Sequence, residues 1–140
     1  MELNFGHADE DANNLSDLIK KDVKENGGTF QFETGKNLNL EKILYISHRM
    51  LQYSNFFLDA VIIDSTYGHN RFNMPLINIV GINSFGKTII LGFALLNNET
   101  TQSYDWVFKN FKNHWKRKPG FVITDECEAT ISSKFQRLFF

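Results

Sequence analysis

Cysteine, proline and long apolar runs are scarce in this sequence. Its 140 residues include one cysteine, Cys127, and two prolines. A single cysteine cannot form an intramolecular disulfide, so nothing indicates an oxidising compartment. No apolar run approaches the roughly 18 residues that a membrane span requires, and the acidic start of the chain lacks the basic and apolar regions of a secretory signal. These absences predict an intracellular protein without a membrane partner.

An excess of charge of one sign is also missing. Fifteen Lys and Arg residues face 16 Asp and Glu residues, which gives a net charge of −1. The sequence therefore lacks the global basic field that many nucleic-acid-binding proteins carry, although a local basic face remains compatible with this balance. It has no Gly-rich phosphate loop, and His48 has no second His or Cys at zinc-ligand spacing. The length allows at most one ordinary domain.

The most informative stretch that is present is the apolar run Ala60 to Ile63, which ends in Asp64. A run without polar alternation is typical of a strand buried on both faces, and we predict this strand over residues 57–66. An Asp after such a strand more commonly caps a turn, but it can also carry chemistry. The run Gly120 to Thr124, followed by Asp125, repeats the pattern. Two strands with the same ending therefore deserve to be considered together.

The segment between the two aspartates predicts how these strands meet. It contains strands over residues 76–83 and 88–96 and then an amphipathic helix. One stripe of that helix is apolar and aromatic, and we predict that it packs in the core: Tyr104, Val107, Phe108, Phe111 and Trp115. A βββαβ order returns the chain parallel to its first strand and beside it. Asp64 and Asp125 are then expected to leave the same sheet edge.

The upstream residues predict a helix and a hairpin. Residues 8–25 have helical periodicity, and strands over residues 29–33 and 38–46 surround a turn. We therefore predict an α/β fold in which an N-terminal helix and a β-hairpin precede a mixed-sheet βββαβ core. The N-terminal helical segment is placed at residues 1–28 and the remaining domain at 29–140.

Two neighbouring carboxylates indicate metal chemistry. Adjacent strands lie about 4.8 Å apart, so carboxylates at equivalent ends can share a divalent ion. Hard oxygen ligands suit Mg²⁺ or Mn²⁺, and two such ions stabilise the entering and leaving oxygens in phosphoryl transfer. The pattern fits a nuclease or a polynucleotidyl transferase. A scaffold with the same element order would also satisfy it.

Some features leave alternatives open. The basic cluster over residues 109–118 is read as a solvated helix end that complements the dipole, with phosphate contact near the carboxylates as the alternative. Trp106 lies off the apolar stripe and has no predicted partner. Gly81 and Gly92, inside strands, predict bulges or close approaches.

An ordered series of short motifs resembles the transposase domain of Mutator-like elements, the MULE domain. The series comprises Asp64-Ser-Thr-Tyr67, Asn70-Arg-Phe-Asn-Met-Pro-Leu76, Gly81-Ile-Asn83, Gly86-Lys87, Gly92-Phe-Ala-Leu-Leu96, Glu99-Thr100, Ser103-Tyr-Asp-Trp106, and Ile123-Thr-Asp125 with Ala129. Each motif alone is weak, whereas their shared order and spacing over residues 57–129 are specific. Residues 29–140 thus resemble a partial MULE domain with its core at 57–129.

The resemblance implies an RNase H-like fold and DDE chemistry, in which water and then a 3′-hydroxyl attack DNA phosphates with the help of Mg²⁺ or Mn²⁺. Asp64 would be the first acid and Asp125 the second, both as metal ligands. Transposon ends and target DNA are the implied partners, and the nucleus the implied location. Glu99 matches a recurrent acid of the family, and we treat it as structural.

The sequence departs from the family pattern after Asp125. The family's third acid, a Glu on a later helix, and its Cys/His segment both come beyond Phe140. Glu126 and Glu128 are interpreted as first-turn helix acids. We therefore expect a fragment of a DDE transposase that is inactive by itself and prone to self-association through the Phe-rich residues 135–140. A domesticated or decayed, non-catalytic DNA-associated or protein-interaction scaffold is the alternative, and a generic RNase H-like nuclease is a third possibility.

Overall fold

The computed structural model describes residues 9–36, 39–66 and 73–124, which form three helices and six strands. In chain order these are α1 (Asp9–Asn26), β1 (Gly28–Thr34), β2 (Leu40–Ser47), α2 (His48–Ser54), β3 (Ala60–Thr66), β4 (Leu76–Ile82), β5 (Thr88–Leu96), α3 (Thr101–His114) and β6 (Phe121–Thr124). Among the helices described, none is both long and apolar enough to cross a membrane.

The six strands form one mixed sheet in the order β1-β2-β5-β4-β3-β6. Every neighbouring pair is antiparallel except β3 and β6, which are parallel. The predicted βββαβ order and the parallel return beside the first core strand are therefore confirmed. The hairpin β1–β2 joins the same sheet because β2 pairs with β5.

The first core strand begins later than predicted. We expected it from residue 57, whereas β3 starts at Ala60. The backbone N–H groups of Phe56 and Phe57 still bond to the carbonyl of Tyr53 in the turn that closes α2. Local helical hydrogen bonding thus holds these residues back from the sheet although their side chains are apolar.

The core lies between α3 and one face of the sheet. Tyr104, Val107, Phe108 and Phe111 are fully buried there, which confirms that the aromatic stripe is core. A Cβ built on Gly92 would lie 2.3 Å from the ring of Phe111. A register shift separates Ile79 from Val80 in the β4–β5 pairing. The predicted close approach and bulge are both present at this point.

Trp106 contacts a residue of the N-terminal hairpin. The ammonium of Lys42 on β2 lies 5.7 Å from the centroid of the indole ring, which is a cation–π distance. The same ammonium pairs with Glu33 on β1. Trp106 therefore helps to place α3 across the hairpin, a role that helical periodicity does not reveal.

Helix α1 is tied to the sheet by a hydrogen bond from the hydroxyl of Tyr45 to the carboxylate of Asp22. This bond, with a second one from Asn26, lowers the pKa of Asp22. Burial, and then the bond to Asp22, raises the pKa of Tyr45 to about 12. The acceptor stays ionised and the donor stays protonated over the physiological range, so this link persists there.

Candidate functional site at the β3–β6 edge

Asp64 is the fifth residue of β3, and its side chain is exposed. Its neighbours Val61 and Ile63 are buried against α3. Because side chains alternate along a strand, Asp64 projects from the face opposite α3. The strand continues for two residues beyond it, since Ser65 and Thr66 still pair with β4. Asp64 therefore lies within the ladder and does not cap a turn.

Asn78 on β4 is the residue directly opposite Asp64. Directly opposed residues of an antiparallel pair share a face, with their Cβ atoms about 4.5–5.5 Å apart. The amide of Asn78 is thus a polar neighbour that the β3–β4 register places beside this carboxylate. Sequence reasoning missed it, although one polar residue inside the apolar strand Leu76–Ile82 was an available signal.

The parallel strand β6 lies on the other side of β3. Its last described residue, Thr124, pairs with Ile63. In the sequence, Ile63 is followed by Asp64 and Thr124 by Asp125. Asp125 itself, together with Glu126, Glu128 and the helix predicted after them, lies outside the described residues. The observed register thus extends to the position before each aspartate.

A hydrogen-bonded chain on the α3 face connects β3 to the start of α3. The hydroxyls of Ser65 and Tyr104 lie 2.8 Å apart, and the Tyr104 hydroxyl donates to Glu99 Oε1 at 3.1 Å. Thr100 then caps α3, since its side chain accepts a bond from the Ser103 amide. The residue next to Asp64 is therefore fixed by contacts with the β5–α3 connection.

Replacing Tyr104 with Phe is expected to lower the free energy of unfolding by about 1–2 kcal/mol. The change removes a fully buried hydroxyl and leaves Ser65 and Glu99 without this partner. Urea unfolding would measure the effect. Tyr53→Phe, at a half-buried tyrosine of α2, is the matched control and should change stability by less than about 0.5 kcal/mol. Equal effects of the two variants would show that the chain of hydroxyls contributes nothing specific.

The oxygen ligands available around Asp64 are of the type that a hard divalent cation binds. A carboxylate and an amide oxygen are ligands that Mg²⁺ and Mn²⁺ accept. Within residues 9–36, 39–66 and 73–124, no group of three or more His, Cys, Asp or Glu side chains is close enough to hold a metal. The described part of the edge therefore supplies fewer than three such side chains, and a full ligand set would need more.

The basic cluster does not lie near this edge. Arg117 bonds to the side chain of Asp59 at 3.0 Å and to the carbonyl of Phe56 at 3.2 Å. Asp59 directly precedes β3, and five residues of strand span about 16 Å, so the cluster is at the end of β3 remote from Asp64. These bonds place Arg117 away from Asp64, and phosphate contact by the cluster stays a prediction.

Comparisons with known proteins show the family of this chain. The family model of the MULE transposase domain matches residues 60–138. The chain is similar to three proteins of Arabidopsis thaliana. FAR1-RELATED SEQUENCE 6 is 40% identical over 59% of the chain and 12% of its own length. FAR1-RELATED SEQUENCE 5 is 25% identical over 89% of the chain and 16% of its own length. FAR1-RELATED SEQUENCE 11 is 32% identical over 74% of the chain and 16% of its own length.

The chain thus spans less than a fifth of the length of these relatives. No solved structure matches it at a significant level. The family match begins at Ala60, the first residue of β3, and covers more than half of the 140 residues. This chain belongs to the MULE transposase domain family.

Proposed function

We propose that the β3–β6 edge is the acidic edge of a DDE-type site that binds a divalent ion and acts on DNA phosphodiesters. The observation that carries the proposal is the parallel pairing of Ile63 with Thr124, because each of these residues is followed by an aspartate. Continuation of that register would place Asp64 and Asp125 side by side. Membership of a transposase domain family supports DNA as the substrate.

An RNase H-like arrangement of the core is part of the same proposal. Three features support this arrangement: three strands in antiparallel succession, a helix packed on one face, and a fourth strand parallel to the first. In such an arrangement the first strand is central, and here β3 lies between β4 and β6. A central strand is held on both sides, which suits a residue that must keep its position during a reaction.

The side chains at this edge would have separate roles. Asp64 and Asp125 would hold Mg²⁺ or Mn²⁺, and the amide of Asn78 would orient the Asp64 carboxylate or a bound water. The ion, when bound, supplies stabilisation of the charge that develops on the phosphate. Ser65, through Tyr104 and Glu99, would keep the end of β3 fixed. A protein that acts on chromosomal DNA would work in the nucleus, and the transposon ends and the target DNA would be its partners.

The proposal predicts that Asp64→Asn weakens Mn²⁺ binding by at least about tenfold. Loss of an outer-shell partner of a metal site already reduces affinity by 10–100-fold, so loss of a ligand should do no less. Isothermal titration of the 140-residue chain would measure affinity, and Mn²⁺-induced broadening of amide signals would locate the ion. The signals of Asp64, Ser65 and Asn78 should broaden first.

Asp59→Asn is the matched control for this experiment. It also removes one negative charge, but from the residue before β3, at the end of the strand remote from Asp64. There the carboxylate of Asp59 pairs with Arg117. Mn²⁺ affinity should remain unchanged in this variant. Equal losses in both variants, or no broadening near Asp64, would contradict the metal site and favour the non-catalytic scaffold. The 140 residues alone are expected to show no strand transfer.

A further inference from the structure

The end of α3 and the loop that follows it concentrate positive charge in a chain whose net charge is −1. Residues 106–124 contain no Asp or Glu, whereas one short segment of this stretch holds five basic residues: Lys109, Lys112, Lys116, Arg117 and Lys118. Burial lowers the pKa of His114, so this last-turn residue is neutral at pH 7 and the charge comes from Lys and Arg alone. A stretch with five basic and no acidic residues gives this region of the surface a local positive charge.

Four of these cations surround one surface cavity. Lys112, Lys116, Arg117 and Lys118 line it together with Trp115, and its volume is about 160 Å³. We call these five residues the α3-end surface. In the described part of the chain, no carboxylate pairs with the three lysines, which are all exposed. The surface therefore combines a concave shape with unneutralised positive charge.

The base of this cavity is packed against the core. Trp115 is 8% exposed and belongs to the main core, and its ring centroid lies 5.6 Å from that of Phe111 in a tilted pair. Arg117 donates hydrogen bonds to the carboxylate of Asp59 at 3.0 Å and to the carbonyl of Phe56 at 3.2 Å. The lysines thus line a cavity whose base belongs to the packed core.

We infer that the α3-end surface binds the phosphodiester backbone of DNA, separately from the acidic edge and without a metal ion. Phosphates need donors and positive charge, and lysines on a groove supply both. An acidic protein would satisfy the same charges, and the choice of DNA rests on the function proposed above. Contacts of this type position a duplex but do not read its sequence.

The test is a comparison of two triple variants that remove equal charge. The first variant replaces Lys112, Lys116 and Lys118 with Gln. The second replaces the exposed α1 residues Lys20, Lys21 and Lys24 with Gln. Binding of a fluorescent DNA duplex is followed by anisotropy in EDTA between 50 and 200 mM salt. Three lost phosphate contacts should reduce the slope of log affinity against log salt by about 2.7 and weaken binding at least about tenfold.

The α1 triple variant should retain the wild-type slope. Lys116→Gln alone should reduce the slope by about 0.9, which keeps the test decisive if the triple variant folds poorly. Equal losses in the two triple variants, no duplex binding by the wild type, or binding of polyglutamate in place of DNA would each overturn the inference. Duplex binding is measured in EDTA, where no divalent ion is available, whereas Mn²⁺ affinity is measured without DNA. Failure of the metal site and failure of this surface are therefore distinguishable.

Discussion

Replacing Phe111 with Ala is expected to lower the free energy of unfolding by about 3–5 kcal/mol, the usual range for a fully buried Phe. Phe111 is fully buried, packs against Trp115 in a tilted ring pair and lies against the Gly92 backbone of β5. The cavity left by its ring would open between α3 and the middle of the sheet. Backbone on both sides limits how far the surroundings can collapse into it. Urea unfolding with a constant slope would report the loss as a shift of the midpoint.

Phe85→Ala is the matched control for this prediction. Phe85 lies in the β4–β5 turn and is 87% exposed, so the same truncation should change stability by less than about 0.5 kcal/mol. A loss below about 1 kcal/mol for Phe111→Ala would mean that α3 is not packed as described. The same result would also weaken the assignment of the aromatic stripe to the core.

Replacing Gly28 with Ala is expected to lower the free energy of unfolding by about 2–4 kcal/mol. Gly28 has a φ of 111°, and a Cβ there would lie 2.5 Å from the carbonyl oxygen of Ile46. Backbone strain contributes roughly 1–2 kcal/mol, and a clash with backbone on the paired strand adds a comparable amount. Since Gly28 pairs with Ser47, the change should also loosen the start of β1. Hydrogen exchange of the β1 amides would detect this.

Gly86→Ala separates the strain from the clash. Gly86 has a φ of 72° in the β4–β5 turn, and a Cβ there would meet nothing within 4 Å. Its substitution should therefore cost only the strain, about 1–2 kcal/mol. Similar losses at both positions would show that the contact with Ile46 is relieved by a small backbone movement.

Local patterns in the sequence predicted most of the elements. The 3.6-residue period of α3 and the apolar runs of β3 and β6 are signals that a short window contains. The order of elements then predicted the parallel return of β6, because a helical crossover brings a strand back in the same direction. Boundaries were less accurate, as at residues 57–59, where hydrogen bonds to Tyr53 prevail over apolar side chains.

The candidate site was predicted only in part. Asp64 was identified from its position after an apolar run, whereas Asn78 was not, because its relevance depends on which residue of β4 lies opposite. The link from Ser65 to Tyr104 spans 39 residues and that from Arg117 to Asp59 spans 58. No local window contains both members of either pair.

The sequence by itself determined the family, the element order and the two apolar runs that precede Asp64 and Asp125. These properties follow from residue types and spacings along the chain, which exist before folding. Only the tertiary structure decided that the hairpin joins the same sheet and that Lys42 lies over Trp106. It alone also showed that the α3-end surface and Asp64 lie toward opposite ends of β3. The physical reason is that strand register and helix packing choose among many compatible long-range pairings, and each choice depends on the whole core.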